Sequence, residues 1–426
     1  MTPQEARAAV RLAGRMVAGV TSHVQRVHQA VAARPFRLTA PAATPVRLVH
    51  DAVAGGVYAT VRVSGLAAGA VAGELLAATR RQDSVPAGST PAGNLALAAL
   101  NAAVGHRLAE EGDPLAIPMA LREGGRDVAP DRAALAAAVP TATPRLAVFL
   151  HGLGEPEDAW RLHARRHYQD PRVCYGTRLA DDFGYTPVYL RYNTGLHVSD
   201  NGRLLAGLLE EVVANWPTTV EEIMLVGHSM GGLVARSGCH YGQQAGAAWV
   251  LRVRHVVYLG APHLGAPLEQ GAALLGVALA AVAETRPFAI LVNGRSAGIK
   301  DLRHGYLLED DWGGCDDPDT CLADHRTDVP LLATANHYVV AATITRDPRH
   351  PLGRVVGDLL VPPASAHGRH RYRRHIPFPL EARRQLGPLH HFHLLNHPAV
   401  YEAIRAWLDA SPAANAARDR RQASSA

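Results

Sequence analysis

Residues 225 to 236 read LVGHSMGGLVAR, a serine set among small residues straight after an apolar run. Gly227-His228-Ser229-Met230-Gly231 fits G-x-S-x-G, the pattern that puts a serine on a sharp strand-to-helix bend where flanking side chains would clash. EEIMLVG (221–227) before it reads as a buried strand, and GGLVARSGCHYG after it as a helix. A serine so placed is a nucleophile if the chain also supplies a base and an acid. The plainer alternative is a structural turn, but a turn has no need of Ser229 between Gly227, Gly231 and Gly232. His228 adjoins the serine, yet an elbow throws adjacent side chains apart. It is expected to be a packed, hydrogen-bonded residue and not the base.

Acyl chemistry at Ser229 needs donors for a developing oxyanion. The backbone N–H of Met230, next after the nucleophile, is one candidate, and that of Leu153 in FLHGLG (149–154) is the other. Gly152 and Gly154 let that loop come close. The acid and the base should follow the serine in that order. Asp358 stands after a glycine in GRVVGDLLVPPASAHG, past the strand HYVVAATIT, and is the expected acid. Asp328 and the DWGGCDD cluster precede that strand and fit a surface insertion better. The base must lie in GPLHHFHLLNH (387–397), which offers His390, His391, His393 and His397. His393 and His397 have i,i+4 spacing, as metal ligands can. The run holds no acidic or cysteine ligand and Pro398 follows it, so no metal is expected.

These groups need a sheet to carry them. RLAVFLHG (145–152), TPVYLRYNTG (186–195), EEIMLVG, VRHVVYLGAP (253–262) and HYVVAATIT (337–345) are apolar runs of buried-strand type. Two short strands surround the Gly-Gly turn of IPMALREGGRDV, and a weak last strand is expected near RYRRHIPF (371–378). Helical stretches alternate with the strands, among them DNGRLLAGLLEEVVANW, capped by Ser199 or Asp200, and PAVYEAIRAWL (398–408). The fold class is therefore α/β, a mostly parallel sheet with helices on both faces. Ahead of it lies a helical region, 1–112, with helices over 1–33, about 46–81 and about 95–111. Gly65, Gly69 and Gly73 recur four apart on one face of the second. Residues 113–410 form the main domain, and 411–426 are expected to be disordered.

A chain of 426 residues that is 48% hydrophobic and 19% charged can bury a sizeable core. Its charge of +5 comes from dispersed arginines, with Lys300 the only lysine, and excludes a nucleic-acid footprint. Four cysteines are too few for a disulfide scaffold, and the first twenty residues have no uninterrupted apolar segment of signal-peptide type. A cytoplasmic protein is the expectation.

Together FLHGLG, LRYNTGLHVSDNGR, LVGHSMGG, YLGAPHLGAP, GDLLVPPASA and HHFHLLNHPAVYEAIRAWL resemble bacterial lipases and esterases of the α/β-hydrolase superfamily. The likeness is to triacylglycerol lipases and GPI-inositol-deacylase-like hydrolases, over about 140 to 410. The resemblance implies an α/β-hydrolase fold with an N-terminal helical extension. It also implies a serine carboxylic-ester hydrolase working through an acyl-enzyme, without cofactor, on an ester or lipid. The family pattern of a histidine followed by an apolar residue, one more residue and Leu-Leu falls on His391, with His390 adjoining as the alternative. A thioesterase or acyltransferase could use the same Ser229, Asp358 and His391. A catalytically inert membrane-associated scaffold is the rival of another class. The insertion at about 263–336 holds an apolar helix (269–285), read equally as a lid over the site or as a sheet-covering helix. It also holds Cys315 and Cys321, and Asp316, Asp317 and Asp319, read as a solvated loop. Residues 1–81 either pack through their small-residue face on the hydrolase domain or a second copy, which that face favours, or make peripheral membrane contact. The oligomeric state is open.

Overall fold

A computed structural model describes residues 1–38, 43–81, 83–267, 269, 294–313, 324–347, 350–369 and 375–410. The apolar helix of the insertion, the Cys315–Cys321 loop with its aspartates and the 411–426 tail lie outside the described residues, but for Glu269.

Helices α1 (Pro3–Leu38), α2 (Thr44–Ala78) and α3 (Pro91–Glu110) come first. The hairpin β1 (Ala120–Glu123) and β2 (Arg126–Val128) follows, and then α4 (Arg132–Ala138). Next come β3 (Arg145–Leu150), α5 (Ala164–Tyr168), α6 (Tyr175–Phe183) and β4 (Thr186–Arg191). After them run α7 (Val198–Asn215), β5 (Glu222–His228), α8 (Met230–Gln244) and β6 (Val253–Leu259). The last strands are β7 (Asn336–Ala342) and β8 (Arg383–Leu386), ahead of the closing helix Pro398–Asp409.

The sheet runs β2-β1-β4-β3-β5-β6-β7-β8. β1 is antiparallel to both its neighbours, and every other pairing is parallel. The central strands are apolar on both sides because both faces are covered. Leu146, Val148 and Leu150 of β3 join one core with α7 and α8. Ala147 and Phe149, pointing the other way, join a second core with Tyr175, Leu179, Tyr401 and Ile404. That is the two-residue period of a strand read out as two cores.

Two expectations need correcting. The last strand is Arg383–Leu386 and not the 371–378 stretch, part of which (371–374) lies outside the described residues. α7 begins at Val198 without a side-chain cap from Ser199 or Asp200. The Val198 N–H donates instead to buried Asp301 at 2.7 Å. A helix start satisfied from far along the chain leaves no local signal.

α1 and α2 form an antiparallel hairpin, and the glycine face of α2 is spent on it. A Cβ on Gly69 would lie 3.1 Å from Gly14 Cα, and one on Gly73 would lie 3.1 Å from the Arg7 carbonyl oxygen. The close-packed partner is thus α1 of the same chain, where the sequence favoured the hydrolase domain or a second copy. α3 is tied to the sheet-bearing body. Buried Asn101 donates to the Leu115 carbonyl at 2.8 Å, and Asn193 donates to the Gly105 carbonyl at 2.9 Å.

Candidate active site

β3, β5 and β6 end level, with Leu150 paired to Gly227 and His228 to Leu259. Their carboxyl ends form the edge where open parallel sheets build sites. Ser229 stands between β5 and α8 with φ 52° and ψ −123°, a conformation costly for any residue with a side chain. The turn holds because its neighbours have no Cβ. One on Gly227 would lie 2.5 Å from the Gly232 nitrogen, and one on Gly231 would lie 2.3 Å from the Leu150 carbonyl oxygen.

The loop after β3 comes up against the serine, so that a Cβ on Gly152 would be 3.0 Å from Ser229 Cβ. In this loop the Gly152 N–H donates to Glu155 Oε2 at 2.6 Å and the Gly154 N–H to Thr194 Oγ1 at 3.2 Å. Among the described residues the N–H of Leu153, between them, has no hydrogen-bond acceptor. Met230 opens α8, where the first N–H groups of a helix lack partners within it.

Asp358 and His391 meet. Asp358 Oδ2 lies 2.7 Å from His391 Nδ1, while Oδ1 accepts the N–H groups of Leu360 and Val361 at 3.0 and 2.8 Å. Both residues are buried, and the His391 N–H also donates to the Asp358 carbonyl at 3.0 Å. With Nδ1 held by the carboxylate, His391 Nε2 is buried without a hydrogen-bond partner. The imidazole stands against Gly260, whose Cβ would be 3.2 Å from it. The Ser229 N–H donates to the carbonyl oxygen of Leu259, the residue before Gly260, at 2.8 Å. His390, the alternative, has its ring centroid 3.6 Å from that of His393 and takes no part in the pairing with Asp358.

His228 is the packed, hydrogen-bonded residue expected, but it does more than fill space. Its Nδ1 lies 3.0 Å from Glu155, and its Nε2 lies 3.2 Å from the His391 carbonyl oxygen. Burial would push His228 down, but the Glu155 carboxylate prevails and holds it above its ordinary value. Burial would raise Glu155, and His228 with the Gly152 N–H holds it below the ordinary carboxylate range. Each partner thus favours the charged form of the other, and the contact joins the loop beside the serine to the turn that bears His391. Sequence reading missed Glu155. Its place three residues after Gly152 was visible, but nothing local announced a partner on another strand.

The sheet order and the strained turn at its carboxyl edge have the form of an α/β-hydrolase fold. Residues 148–317, less than half of the chain, match the family described as PGAP1-like alpha/beta domain. No curated protein matches the chain. Among solved structures, Bacillus licheniformis lipase BlEst2 in propeptide form is 18% identical over 64% of this chain and 51% of that chain, with TM-score 0.40. The chain therefore spans about half the length of that form. The mature form is 18% identical over 62% and 91%, with TM-score 0.38. A lipase-esterase related protein from Clostridium acetobutylicum is 13% identical over 62% and 95%, with TM-score 0.31. The expected fold class, a mostly parallel sheet with helices on both faces and further helices ahead of it, is the one found.

Proposed function

We propose that the protein is a serine carboxylic-ester hydrolase of the lipase/esterase type. The observation that carries this is the buried Asp358–His391 pair, which leaves His391 Nε2 without a partner and sets the ring against Gly260, one residue after the Leu259 carbonyl that holds the strained Ser229 N–H. Ser229 Oγ attacks the ester carbonyl while His391 Nε2 takes its proton. Asp358 fixes the proton on Nδ1 and stabilises the imidazolium. The amides of Leu153 and Met230 receive the oxyanion. The imidazolium then protonates the leaving alcohol as the tetrahedral intermediate collapses to an acyl-enzyme. Water, deprotonated by His391, cleaves the acyl-enzyme and restores the serine. No hydrogen bond joins Ser229 to His391 here, as in free enzymes whose catalytic contacts tighten on substrate binding. A fluorophosphonate probe should label Ser229 of the native chain, and Ser229→Ala should lose both labelling and about 10^4-fold or more of p-nitrophenyl ester turnover. Labelling elsewhere, or turnover surviving in a folded Ser229→Ala, overturns the assignment.

The outer face of the α1–α2 hairpin supports a second element of this reading, peripheral contact with a membrane surface. With the glycines turned inward, Leu48, Val49, Val53, Val57, Val63, Val71 and Leu75 of α2 are exposed. α2 is by length and composition apolar enough to cross a membrane. Arg7, Arg11, Arg15, Arg47 and Arg62 lie along the same two helices. Arg7 and Arg11 pair with Glu74, Arg15 with Glu111 and Asp113, and Arg47 with Asp51, so it is the exposed apolar face that fits a bilayer interface, where a lipid-ester hydrolase would meet its substrate.

A further inference from the structure

Histidines from two distant segments meet beside the turn that carries His391. His163 precedes α5, while His390 and His393 belong to the turn ahead of the closing helix. One ring nitrogen from each of these three lies within 4.8 Å of the others. The ring centroids are 3.6 Å apart for His390–His393 and 5.2 Å for His163–His393. His393 Nδ1 accepts the His390 N–H at 3.2 Å, which leaves Nε2 as its free nitrogen. Close by, His167 Nε2 is buried without a hydrogen-bond partner, and its ring lies 4.9 Å from that of His397. Among the described residues no carboxylate forms an ion pair with any of the three rings.

We propose that His163, His390 and His393 form a binding site for a divalent transition metal of the zinc class, separate from the Ser229, His391 and Asp358 cluster. The donor set selects the metal. Three imidazoles with no carboxylate or carbonyl oxygen suit Zn²⁺, Cu²⁺ or Ni²⁺ and not Mg²⁺ or Ca²⁺. Three protein nitrogens with water in the fourth position is an arrangement zinc accepts. Arg166 stands near the cluster and opposes a cation, so only a metal with strong bonds to nitrogen would be held. Zinc–nitrogen bonds of about 2.0–2.1 Å require the nitrogens to draw closer than they now lie, by rotation of partly exposed rings. Bound metal would fasten the segment after Trp160 to the turn that carries His391. The sequence could not show this, because the tract at 390–397 lacks its third ligand and His163 is supplied from far earlier in the chain.

The test uses the full chain without a histidine tag, stripped by chelator and titrated with Zn²⁺ by calorimetry and thermal melt. One Zn²⁺ per chain is expected, bound at least about tenfold more weakly after His163→Asn or His393→Ala. The wild-type melt should rise with Zn²⁺ and the variants' melts should not. His163 has φ 60°, which asparagine tolerates, so His163→Asn keeps the test decisive if His393→Ala folds poorly. His240→Ala, a histidine outside the cluster, should bind as the wild type does. No stoichiometric binding, binding unchanged by both cluster variants, or an equal loss in His240→Ala would each overturn the site.

Discussion

His390 and His391 are the same chemical group one residue apart, and only their surroundings separate them. His391 holds Asp358 at 2.7 Å, while His390 rests on His393. His391→Ala should therefore lower ester turnover by several orders of magnitude, leaving what the oxyanion donors and binding supply. His390→Ala should cost about tenfold or less, through the turn it supports. Turnover numbers for the two variants check this, and a reversed order would move the base to His390. Glu155 and His228 act through others, as positioning residues. Glu155→Gln should lower kcat by about 10- to 100-fold with little change in KM, since both the oxyanion loop and the turn bearing the base lose their tether. Its stability cost should depend on pH. Glu155 is lowered from 4.5, so its contribution is present above that value and lost as pH falls through the lowered one. His228 is raised from 6.5, so its contribution is complete below that value and lost as pH rises through the raised one. Melts should show the largest gap between wild type and variant, roughly 3 kcal/mol, at about pH 5 to 6.5, with a smaller gap in alkali. A gap independent of pH would mean that the pair is not ionic.

At the scale of elements, glycines decide which segments touch. The elbow places α8 so close to β5 at Gly227, and to the end of β3 at Gly231, that neither glycine has room for a side chain, and this holds Ser229 in its strained conformation. The α1–α2 seam uses the same device for packing alone. Gly69→Val would press a side chain against Gly14 Cα and the Val10 carbonyl oxygen, each a little over 3 Å from the first added carbon. Overpacking of this kind costs about 1–3 kcal/mol. Hydrogen exchange should quicken in α1 and α2 of that variant, while ester turnover stays within about twofold of wild type. A fall in turnover to match would show that the hairpin is coupled to the site.

For the whole molecule, the three N-terminal helices are not equivalent. α3 shares hydrogen bonds with the loops after β4 and inside the insertion, a buried one from Asn193 and a part-buried one from Ser296, which donates to the Ala102 carbonyl at 2.5 Å. α1 and α2 mostly hold each other, and α1 touches the body through Ala8 near Leu108 and Leu115, through Arg15 paired with Glu111 and Asp113, and through Glu5, which accepts the Ala87 N–H. A chain starting at Ser84 should stay folded and keep turnover within about threefold. One starting at Pro114 should become poorly soluble, because it exposes what α3 covers. Sedimentation with anionic liposomes should pellet the full chain and leave the Ser84 chain in solution. A full chain that remains in the supernatant as a monomer would remove the membrane-contact reading.

The sequence by itself determined the parts whose signals are local. Apolar runs of the right length, the alternation of strand and helix, and glycines around a serine need only short-range sterics and burial periodicity. They were enough to reach the fold class and to nominate Ser229, Asp358 and a four-histidine tract. Tertiary structure decided what depends on residues far apart in the chain. It paired Asp358 with His391 and not His390, set Glu155 on His228, capped α7 with Asp301, and turned the glycines of α2 toward α1. The physical reason is common to all four. Hydrogen bonds and close packing are satisfied by whatever group the fold brings within about 3 Å, and a one-dimensional pattern carries no record of that distance.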